Sequence, residues 1–418
     1  MVSRRAPIVV AVATAAMLAL GTALVPLLPA TAVTAAVSEC SAPTWAEGTS
    51  YRAGQQVTYE GRIYTATQAH TAHPGAGWDP ASTPTLWTLS GTCDEGPAPE
   101  PTPTDPAPEA GTPVAANGQL RVCGVGLCNA QGKRIQLRGM STHGTQWYSQ
   151  CITDGSLDTL AYDWNADVVR ISTYVQEDGY ETDPARFTAL VNRYIDMLTA
   201  RGLYAIVDWH MLDPGDPHFN LQRAKTFFTA IAERNNGKNN IIYEVANEPN
   251  GVSWQTIKSY HEQIVPVVRA KDPDAVILLG TRAWSSLGVS DGSNESEVVN
   301  NPVNASNVMY TFHFYAASHG QDYLNALSRA ADRIPVFITE FGTQDYAGEG
   351  ANDFAMSQRY LDLAASKKIS WVNWNFSDDH RSGAVLTQGS CNSGSFGTGN
   401  LKEAGRWIRD RIRTADDF

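Results

Sequence analysis

The stretch Ile241-Ile-Tyr-Glu-Val-Ala-Asn-Glu-Pro-Asn250 carries the strongest structural signal in this chain. Its first half is β-branched and aromatic, which is typical of a buried strand, and the strand then breaks at Asn247-Glu248-Pro249. A second stretch, Val336-Phe-Ile-Thr-Glu-Phe-Gly342, likewise brings Glu340 to the end of an apolar strand. Carboxylates at the C-terminal ends of parallel strands are where a β/α barrel carries its catalytic groups. Glu248 and Glu340 are therefore our candidate catalytic pair.

Strand-like and helix-like segments alternate from residue 118 onward. We predict eight strands, at residues 134–140, 167–172, 204–209, 241–246, 275–280, 308–314, 335–341 and 370–375. The helix after the second strand is well marked, because Asp183 suits its N-cap, Pro184 its first position and Gly202 its end. Eight alternating units predict a parallel sheet that closes into a (β/α)8 barrel. The alternative is an open doubly wound sheet, although Gly139-Met-Ser-Thr-His-Gly144 does not match the nucleotide loop of that fold.

Seven motifs make residues 118–418 resemble the family 5 glycoside hydrolases of the bacterial endoglucanase type. They are Ile-Gln-Leu-Arg-Gly-Met-Ser-Thr-His-Gly (135–144), Val-Val-Arg-Ile-Ser (168–172), Asp-Trp-His (208–210), Asn-Glu-Pro (247–249), His-Phe-Tyr (313–315), Thr-Glu-Phe-Gly (339–342) and Trp-Val-Asn-Trp-Asn (371–375). The resemblance implies an endo-β-1,4-glucanase that hydrolyses internal bonds of cellulose by double displacement, with net retention. It implies Glu248 as the acid/base, with a raised pKa, and Glu340 as the ionised nucleophile. Retaining enzymes hold these carboxyl groups about 5–5.5 Å apart.

The resemblance also implies supporting roles around the pair. Arg170 is the expected counter-charge of Glu340, Tyr315 is expected to donate a hydrogen bond to it, and Asn247 to bond the sugar 2-hydroxyl. The other expected substrate-binding residues are three histidines near strand ends and three aromatic residues: His143, His210, His313, Trp374, Trp147 and Tyr174. Aromatic side chains suit this role because their flat faces stack on sugar rings.

Several alternatives stay open from the sequence. In one of them His143, His210 and His313 form a zinc site, although we expect no metal and no cofactor. The barrel of a β-mannanase or a chitosanase would carry the same catalytic pair. Relatives often place a lysine shortly after the position of Trp374, where this chain has the acidic loop Asp378-Asp379-His380, which would suit an amino sugar. A non-catalytic polysaccharide-binding protein is the alternative of another class.

Residues 38–93 are rich in aromatic residues, and Val57-Thr-Tyr-Glu-Gly-Arg-Ile-Tyr64 predicts a hairpin within them. This segment resembles the carbohydrate-binding modules of family 5/12, which bind cellulose or chitin. Trp78, beside a glycine and close to a proline, is the candidate sugar-binding platform. The choice between cellulose and chitin stays open, because Ala66-Thr-Gln-Ala-His70 stands where relatives often carry two aromatic residues. Residues 94–117 are rich in alternating prolines, which predicts an extended linker.

The N-terminus and the cysteines indicate export. Residues 1–36 combine two arginines, a long apolar run and small residues, as in a cleaved signal peptide, with an uncleaved anchor as the alternative. Six cysteines follow, and our pairing hypothesis is Cys40–Cys93, Cys123–Cys128 and Cys151–Cys391. The net charge of −12, from 43 acidic and 31 basic residues, argues against nucleic acid or an anionic membrane as a partner. We expect a secreted, extracellular monomer whose partner is a polysaccharide.

Overall fold

The computed structural model describes residues 42–59, 62–73, 75–92, 111–415 and 418. The predicted signal peptide and most of the predicted linker lie outside the described residues. So do Cys40 and Cys93, and the disulfide expected between them therefore stays a prediction. The chain divides into two compact units, residues 1–101 and residues 102–418.

The N-terminal unit is a small β structure. Its strands are Ser50–Tyr51, Gln56–Tyr59, Arg62–Ala66, His70–Thr71 and Trp87–Thr92. The second and third of these strands pair antiparallel with Val57 opposite Tyr64, which confirms the predicted hairpin. Six side chains form the buried core of the unit: Tyr51, Val57, Tyr64, Ala66, Ala72 and Trp87. Large aromatic side chains dominate this core because so short a segment has few other residues to bury.

Eight parallel strands close into a barrel, in the order in which they occur along the chain. They are Arg138–Thr142, Val168–Tyr174, Tyr204–His210, Ile241–Glu244, Val276–Leu279, Val308–Tyr315, Val336–Gly342 and Trp371–Phe376. All eight predicted strands are present, so the predicted fold class is confirmed and the open sheet is excluded. The eighth strand pairs with the first, which closes the barrel. Because all strands run in one direction, their C-terminal ends meet at one face.

Helices cover the outside of the barrel. The longer ones are Pro184–Thr199, Leu221–Asn235, Trp254–Arg269, Gln321–Ala331, Phe354–Lys367 and Glu403–Ile412, and the shorter ones are Pro113–Asn117, Asp154–Asp158, Ser296–Asn300 and Ser390–Ser393. The helix after the second strand begins as predicted, since the Asp183 carboxylate accepts a hydrogen bond from the Arg186 N–H. Within the described ranges, every helix falls short of the length and apolar character that a membrane span requires.

The first barrel strand starts later than predicted. It begins at Arg138 because Ile135 and Leu137 belong instead to the apolar cluster that fills the N-terminal end of the barrel. Two short strands form a hairpin next to this segment: Arg121–Cys123 and Gly126–Cys128. The Cys123–Cys128 disulfide joins them, so this predicted bridge is confirmed.

The predicted linker, residues 94–117, ends earlier than expected. Its last residues form the helix Pro113–Asn117, whose Val114 side chain lies in the cluster at the N-terminal end of the barrel. The Asn117 side chain is fully buried and accepts a hydrogen bond from Asn129 Nδ2 at 3.2 Å. The structured part of the barrel unit therefore begins before residue 118.

A second disulfide lies at the C-terminal face of the barrel. It joins Cys151, in the loop after the first strand, to Cys391, in the loop region after the eighth strand. The sequence predicts this pairing, and the structure confirms it. The Cys391 N–H also donates to Asp378 Oδ2 at 3.1 Å, so the bridged segment holds the loop that directly follows the eighth strand.

Candidate active site

A cavity of about 730 Å³ opens at the C-terminal face of the barrel. Nine of the residues expected at the site line it: His143, Trp147, Tyr174, His210, Glu248, His313, Tyr315, Glu340 and Trp374. Two further expected residues, Arg170 and Asn247, are buried beside it and are bonded to each other. The fold thus brings together side chains that lie far apart along the chain.

Glu340 is held as an anion. It lies within the seventh strand, and each of its carboxylate oxygens accepts one hydrogen bond. Oε1 accepts from the Tyr315 hydroxyl at 2.6 Å, and Oε2 accepts from Arg170 Nη1 at 3.1 Å. Burial alone would raise the pKa of Glu340, but the positive charges of His313 and Arg170 outweigh burial and hold the pKa below its usual value.

Glu248 faces the same space in a different environment. It follows the fourth strand, and its N–H donates to the Met211 carbonyl oxygen at 3.3 Å. One of its carboxylate oxygens lies within 4.8 Å of a carboxylate oxygen of Glu340. Burial raises the pKa of Glu248, the hydrogen bond with His313 opposes this, and the charge of Glu340 raises the pKa further. The net direction is upward, so Glu248 keeps its proton to a higher pH than an ordinary glutamic acid.

His313 connects Glu248 to a buried carboxylate. Its Nδ1 is 2.8 Å from Glu248 Oε1, and its Nε2 is 2.8 Å from Thr339 Oγ1. The Thr339 hydroxyl donates its proton to Glu244 Oε1 at 2.7 Å, so it accepts from His313. Burial lowers the pKa of His313, but the Glu244 carboxylate, 3.8 Å from Nε2, and the hydrogen-bonded Glu248 outweigh burial and raise the pKa to about 9. His313 is therefore an imidazolium at neutral pH.

Arg170 lies inside the second strand, which continues two residues past its predicted end at residue 172. Its guanidinium contacts the carboxylates of Glu244, Asp208 and Glu340 at 2.7, 3.1 and 3.1 Å. Burial lowers the pKa of Arg170, but these three carboxylates outweigh burial and raise it. Glu244 and Asp208 were not among the site residues predicted from the sequence. The available signal was a charged residue within an apolar strand, which requires a buried partner.

Asn247 lies between Arg170 and His210. Its amide oxygen accepts a hydrogen bond from Arg170 Nη2 at 2.6 Å, which fixes the orientation of the amide. Its Nδ2 then donates toward His210 Nε2 at 3.3 Å, so the ring proton of His210 lies on Nδ1, 2.7 Å from Asp208 Oδ2. Burial lowers the pKa of His210 to about 3, which leaves the ring neutral.

The expected aromatic residues pack around two of the histidines. The His210 ring stacks on Tyr174 with centroids 4.1 Å apart and lies 5.2 Å from Trp374. The His143 ring also lies 5.2 Å from Trp374, and burial lowers its pKa to about 4. Trp147 packs on Tyr174 at 4.9 Å and is 40% exposed. Together these rings form one aromatic wall of the cavity.

The geometry does not favour the zinc alternative. In the part of the chain that the structure describes, no set of three potential ligand atoms lying within 4.8 Å of one another contains two of the three histidines. His313 is grouped with Glu248 and Glu340 instead, and its Nδ1 is bonded to Glu248.

Two exposed aromatic residues that sequence analysis did not single out, Trp284 and Tyr346, line the same cavity. Trp284 is 43% exposed and lies with Ala283 and Ser285 in a run of left-handed backbone. Such backbone costs about 1–3 kcal/mol per residue and persists only where neighbours hold it. Here the Ser285 hydroxyl donates to the Asn247 carbonyl oxygen at 2.6 Å, next to the candidate acid. No motif or periodicity marks either aromatic residue.

Asp379, in the acidic loop after the eighth strand, already contacts two basic side chains. Asp379 Oδ1 lies 2.8 Å from His380 Nδ1, and its Oδ2 lies 3.5 Å from Arg381 Nη1. Burial raises the pKa of Asp379, but the nearby Tyr148 hydroxyl and the charge of Arg381 outweigh burial and lower it. Asp379 is therefore an ionised carboxylate that already has a cationic partner in Arg381, which weakens the expectation that this loop meets an amino sugar.

Comparison with known families agrees with this geometry. Residues 128–380 match the sequence model of the family described as cellulase (glycosyl hydrolase family 5). This chain belongs to glycosyl hydrolase family 5. Residues 44–88 match the model of carbohydrate-binding module family 5/12. The family 5 hydrolase therefore carries a carbohydrate-binding module ahead of its barrel.

The family 5 hydrolase is similar to endoglucanases over most of its length. It is 55% identical over 374 residues to endoglucanase E-5 of Thermobifida fusca, a match that covers 86% of this chain and 80% of that protein. It is 52% identical over 380 residues to endoglucanase CelA of Streptomyces lividans, with coverages of 90% and 82%. The crystal structure of the T. fusca endoglucanase Cel5A catalytic domain is 60% identical, with a TM-score of 0.72 over 73% of this chain and 100% of that one. A glutamate-to-glutamine variant of that domain has been solved in complex with cellotetraose.

In the binding module of the family 5 hydrolase, Trp78 is fixed at its backbone and partly open at its ring. Its carbonyl oxygen accepts a hydrogen bond from Nε1 of the buried Trp87 at 3.2 Å. Its ring lies 5.8 Å from that of His73, and 37% of the residue is exposed. This arrangement leaves part of the indole face available to solvent.

Proposed function

We propose that this family 5 hydrolase is a secreted retaining endo-β-1,4-glucanase that cuts internal bonds of cellulose by double displacement. Glu248 is the acid/base and Glu340 is the nucleophile. The observation that carries the proposal is that a carboxylate oxygen of one lies within 4.8 Å of a carboxylate oxygen of the other. Retaining enzymes hold the two carboxyl groups about 5–5.5 Å apart, whereas inverting enzymes need about 6.5–9.5 Å to admit a water.

In the first step, an oxygen of Glu340 attacks the anomeric carbon. The bond from that carbon to the leaving oxygen breaks, and Glu248 gives its proton to that oxygen. The products are a glycosyl ester of Glu340 and a free chain with a new hydroxyl group. The lowered pKa of Glu340 and the raised pKa of Glu248 place each group in the form that this step needs.

In the second step, Glu248 is a carboxylate and removes a proton from water while the water oxygen attacks the anomeric carbon. Glu340 leaves as a carboxylate, and two inversions give net retention. The His313 imidazolium, 2.8 Å from Glu248 Oε1, stabilises the anionic form of Glu248 that this step requires. The contact between His313 and Glu248, which opposes the raised pKa of Glu248 in the resting enzyme, therefore assists the second step.

Sugar recognition follows from the surrounding residues. We assign Trp374 to stacking on the sugar just before the cut bond, with Trp147 and Tyr174 extending the aromatic surface. Arg170 holds the Asn247 amide oxygen, and Nδ2, which donates one N–H toward His210 Nε2, is the group that we assign as the donor for the sugar 2-hydroxyl. His143, which is neutral, is the partner of another sugar hydroxyl. Both ring nitrogens of His210 are bonded, to Asp208 and to Asn247, so His210 orients the Asn247 amide.

The choice of β-1,4-glucan as the polymer is supported by the endoglucanase relatives and by the cellotetraose bound to the T. fusca variant. Chitosan has less support, because Asp379 is already paired with Arg381 and His380. No specific contact favours mannan.

The rest of the chain fits an extracellular enzyme for an insoluble polymer. We propose that residues 1–36 direct secretion and that residues 38–93 hold the enzyme on a cellulose or chitin surface. The family 5/12 match over residues 44–88 and the partly exposed Trp78 support the second assignment. We also propose that the proline-rich linker joins the module to the barrel and that the enzyme acts as a monomer.

The test is the release of reducing ends and the loss of viscosity on soluble carboxymethyl cellulose, with mannan and chitosan in parallel. The wild type should lower viscosity quickly, because internal cuts shorten long chains. Glu340→Gln should be inactive yet still bind cello-oligosaccharides, whereas Glu233→Gln, at a side chain that is 62% exposed on the barrel surface, should match the wild type. Faster cleavage of mannan or chitosan would overturn the substrate assignment. Binding without hydrolysis by the wild type would support the non-catalytic alternative.

A further inference from the structure

Tyr346 is the most exposed of the large apolar or aromatic side chains that lie outside the core of the described residues. It is 75% exposed, and it lines the same cavity as Glu248 and Glu340. Its neighbours along the chain, Ala347 and Gly348, also line the cavity and have little or no side chain to cover the ring. A single exposed tyrosine needs no explanation on an open surface, but one inside a polysaccharide cleft presents a flat face where a sugar ring can stack.

The backbone beneath Tyr346 is held in a tight loop. Asp345 Oδ1 accepts hydrogen bonds from the N–H groups of Ala347 and Glu349, both at 3.0 Å. The Gly348 N–H donates to the Asp345 carbonyl oxygen at 2.9 Å, and the Tyr346 N–H donates to Ser318 Oγ at 3.1 Å. The backbone that carries the ring is thus fixed, which reduces the backbone entropy lost when a ligand binds.

The loop that carries Tyr346 is also tied to the loop that follows Trp374. The Gly383 N–H donates to the Gly348 carbonyl oxygen at 2.9 Å. Arg381 Nε lies 3.2 Å from Glu349 Oε1. Because these contacts join the two loops, Tyr346 belongs to the side of the cavity that Trp374 occupies.

We propose that Tyr346 is an additional sugar-binding platform, which stacks on a glucosyl unit further toward the non-reducing end than the unit on Trp374. The inference rests on the proposed function, since the ligand is the β-1,4-glucan chain that the proposed function assigns to this cleft. A platform beyond the unit on Trp374 does not touch the reacting atoms and takes no part in the chemistry. It selects which bond of a chain is placed between Glu248 and Glu340.

The test uses cellopentaose labelled at its reducing end, with the sizes of the labelled products measured for the full-length enzyme. A pentasaccharide can bind with different numbers of glucosyl units on each side of the cut bond. Loss of a platform on the non-reducing side weakens the arrangements that place a glucosyl unit on it. Tyr346→Ala should therefore shift cleavage toward the non-reducing end, so that longer labelled products increase, and should lower kcat/KM about 3- to 10-fold.

Two variants serve as controls. Tyr346→Phe keeps the ring and should behave as the wild type. Tyr162→Ala removes another exposed tyrosine, 60% exposed, that does not line the cavity, and it should also behave as the wild type. Unchanged product ratios in Tyr346→Ala, or a shift to shorter labelled products, would overturn the platform while leaving the proposed function intact. A wild type that cuts no cello-oligosaccharide would instead overturn the proposed function and this inference with it.

Discussion

Arg170 and Glu244 face each other inside the barrel in a bidentate ion pair, with Nε 2.7 Å from Oε2 and Nη2 3.3 Å from Oε1. Neither side chain is exposed to solvent. Glu244 also accepts the Thr339 hydroxyl proton, and Thr339 in turn accepts from His313. One buried carboxylate therefore supports both the arginine that holds the proposed nucleophile and the histidine that holds the proposed acid.

Replacing Glu244 with glutamine should remove one of the three negative charges that compensate the buried positive charge of Arg170. Removing one partner of a buried ion pair costs about 3–5 kcal/mol, so Glu244→Gln should lower the free energy of unfolding in denaturant by that amount. Activity should fall as well, because both Arg170 and His313 lose a fixed partner. The matched control is Glu295→Gln, since Glu295 binds Arg329 in a similar bidentate pair at 2.6 and 2.9 Å.

The control pair differs mainly in exposure, because the Arg329 side chain is 57% exposed. Pairs at such positions contribute about 0–1 kcal/mol. Equal losses of stability in Glu244→Gln and Glu295→Gln would contradict the idea that burial makes Glu244 a structural anchor.

The eight strands could be predicted because strand and helix periods alternate regularly, and Glu248 and Glu340 because each interrupts an apolar run near its end. The first strand was misplaced because Ile135 and Leu137 show the alternation of a strand although they fill the end of the barrel. Local pattern reports which residues are apolar. It does not report which buried space they fill.

Glu244, Trp284 and Tyr346 were not predicted from the sequence for a different reason. Glu244 acts through contacts with residues 74 and 95 positions away, and such contacts exist only once the barrel has closed. Trp284 and Tyr346 resemble any other aromatic residue in the sequence, and what distinguishes them is their exposure within a cavity. Such properties belong to the three-dimensional arrangement rather than to a motif.

Replacing His313 with glutamine should move the whole pH profile of kcat/KM toward higher pH. The imidazolium lowers the pKa of Glu340 by its charge and the pKa of Glu248 by its hydrogen bond. Without it both pKa values rise. The acid limb, where Glu340 must lose its proton, and the basic limb, where Glu248 must keep its proton, then move upward together.

The control for this profile is His143→Gln. His143 lines the same cavity but is neutral, because burial lowers its pKa to about 4, so its loss should reduce kcat/KM without moving either limb. If His313→Gln leaves both limbs in place, His313 is not charged in the active enzyme. A shift of one limb alone would mean that it acts on only one glutamate.

The two disulfides should differ in their effect on stability. Cys151 and Cys391 are 240 residues apart, whereas Cys123 and Cys128 are separated by 5. Loop entropy in the unfolded chain gives about 5 kcal/mol for the long bridge and about 2 kcal/mol for the short one. Denaturant unfolding of the two double-serine variants should show this order. The reverse order would indicate that strain or residual unfolded structure, rather than loop length, sets the effect.

Replacing Trp78 with alanine should weaken adsorption to insoluble cellulose or chitin by about 3- to 10-fold, the range expected for the loss of one aromatic stacking contact. Activity on soluble carboxymethyl cellulose should not change, because the residue lies in the binding module and does not line the catalytic cavity. Leu89→Ala is the matched control, since Leu89 is 51% exposed on the same module but is not aromatic. Adsorption isotherms for both variants separate a stacking surface from general apolar contact. If Trp78→Ala adsorbs as the wild type does, the platform lies elsewhere on the module. If both variants lose adsorption equally, the module binds through apolar area rather than through one indole.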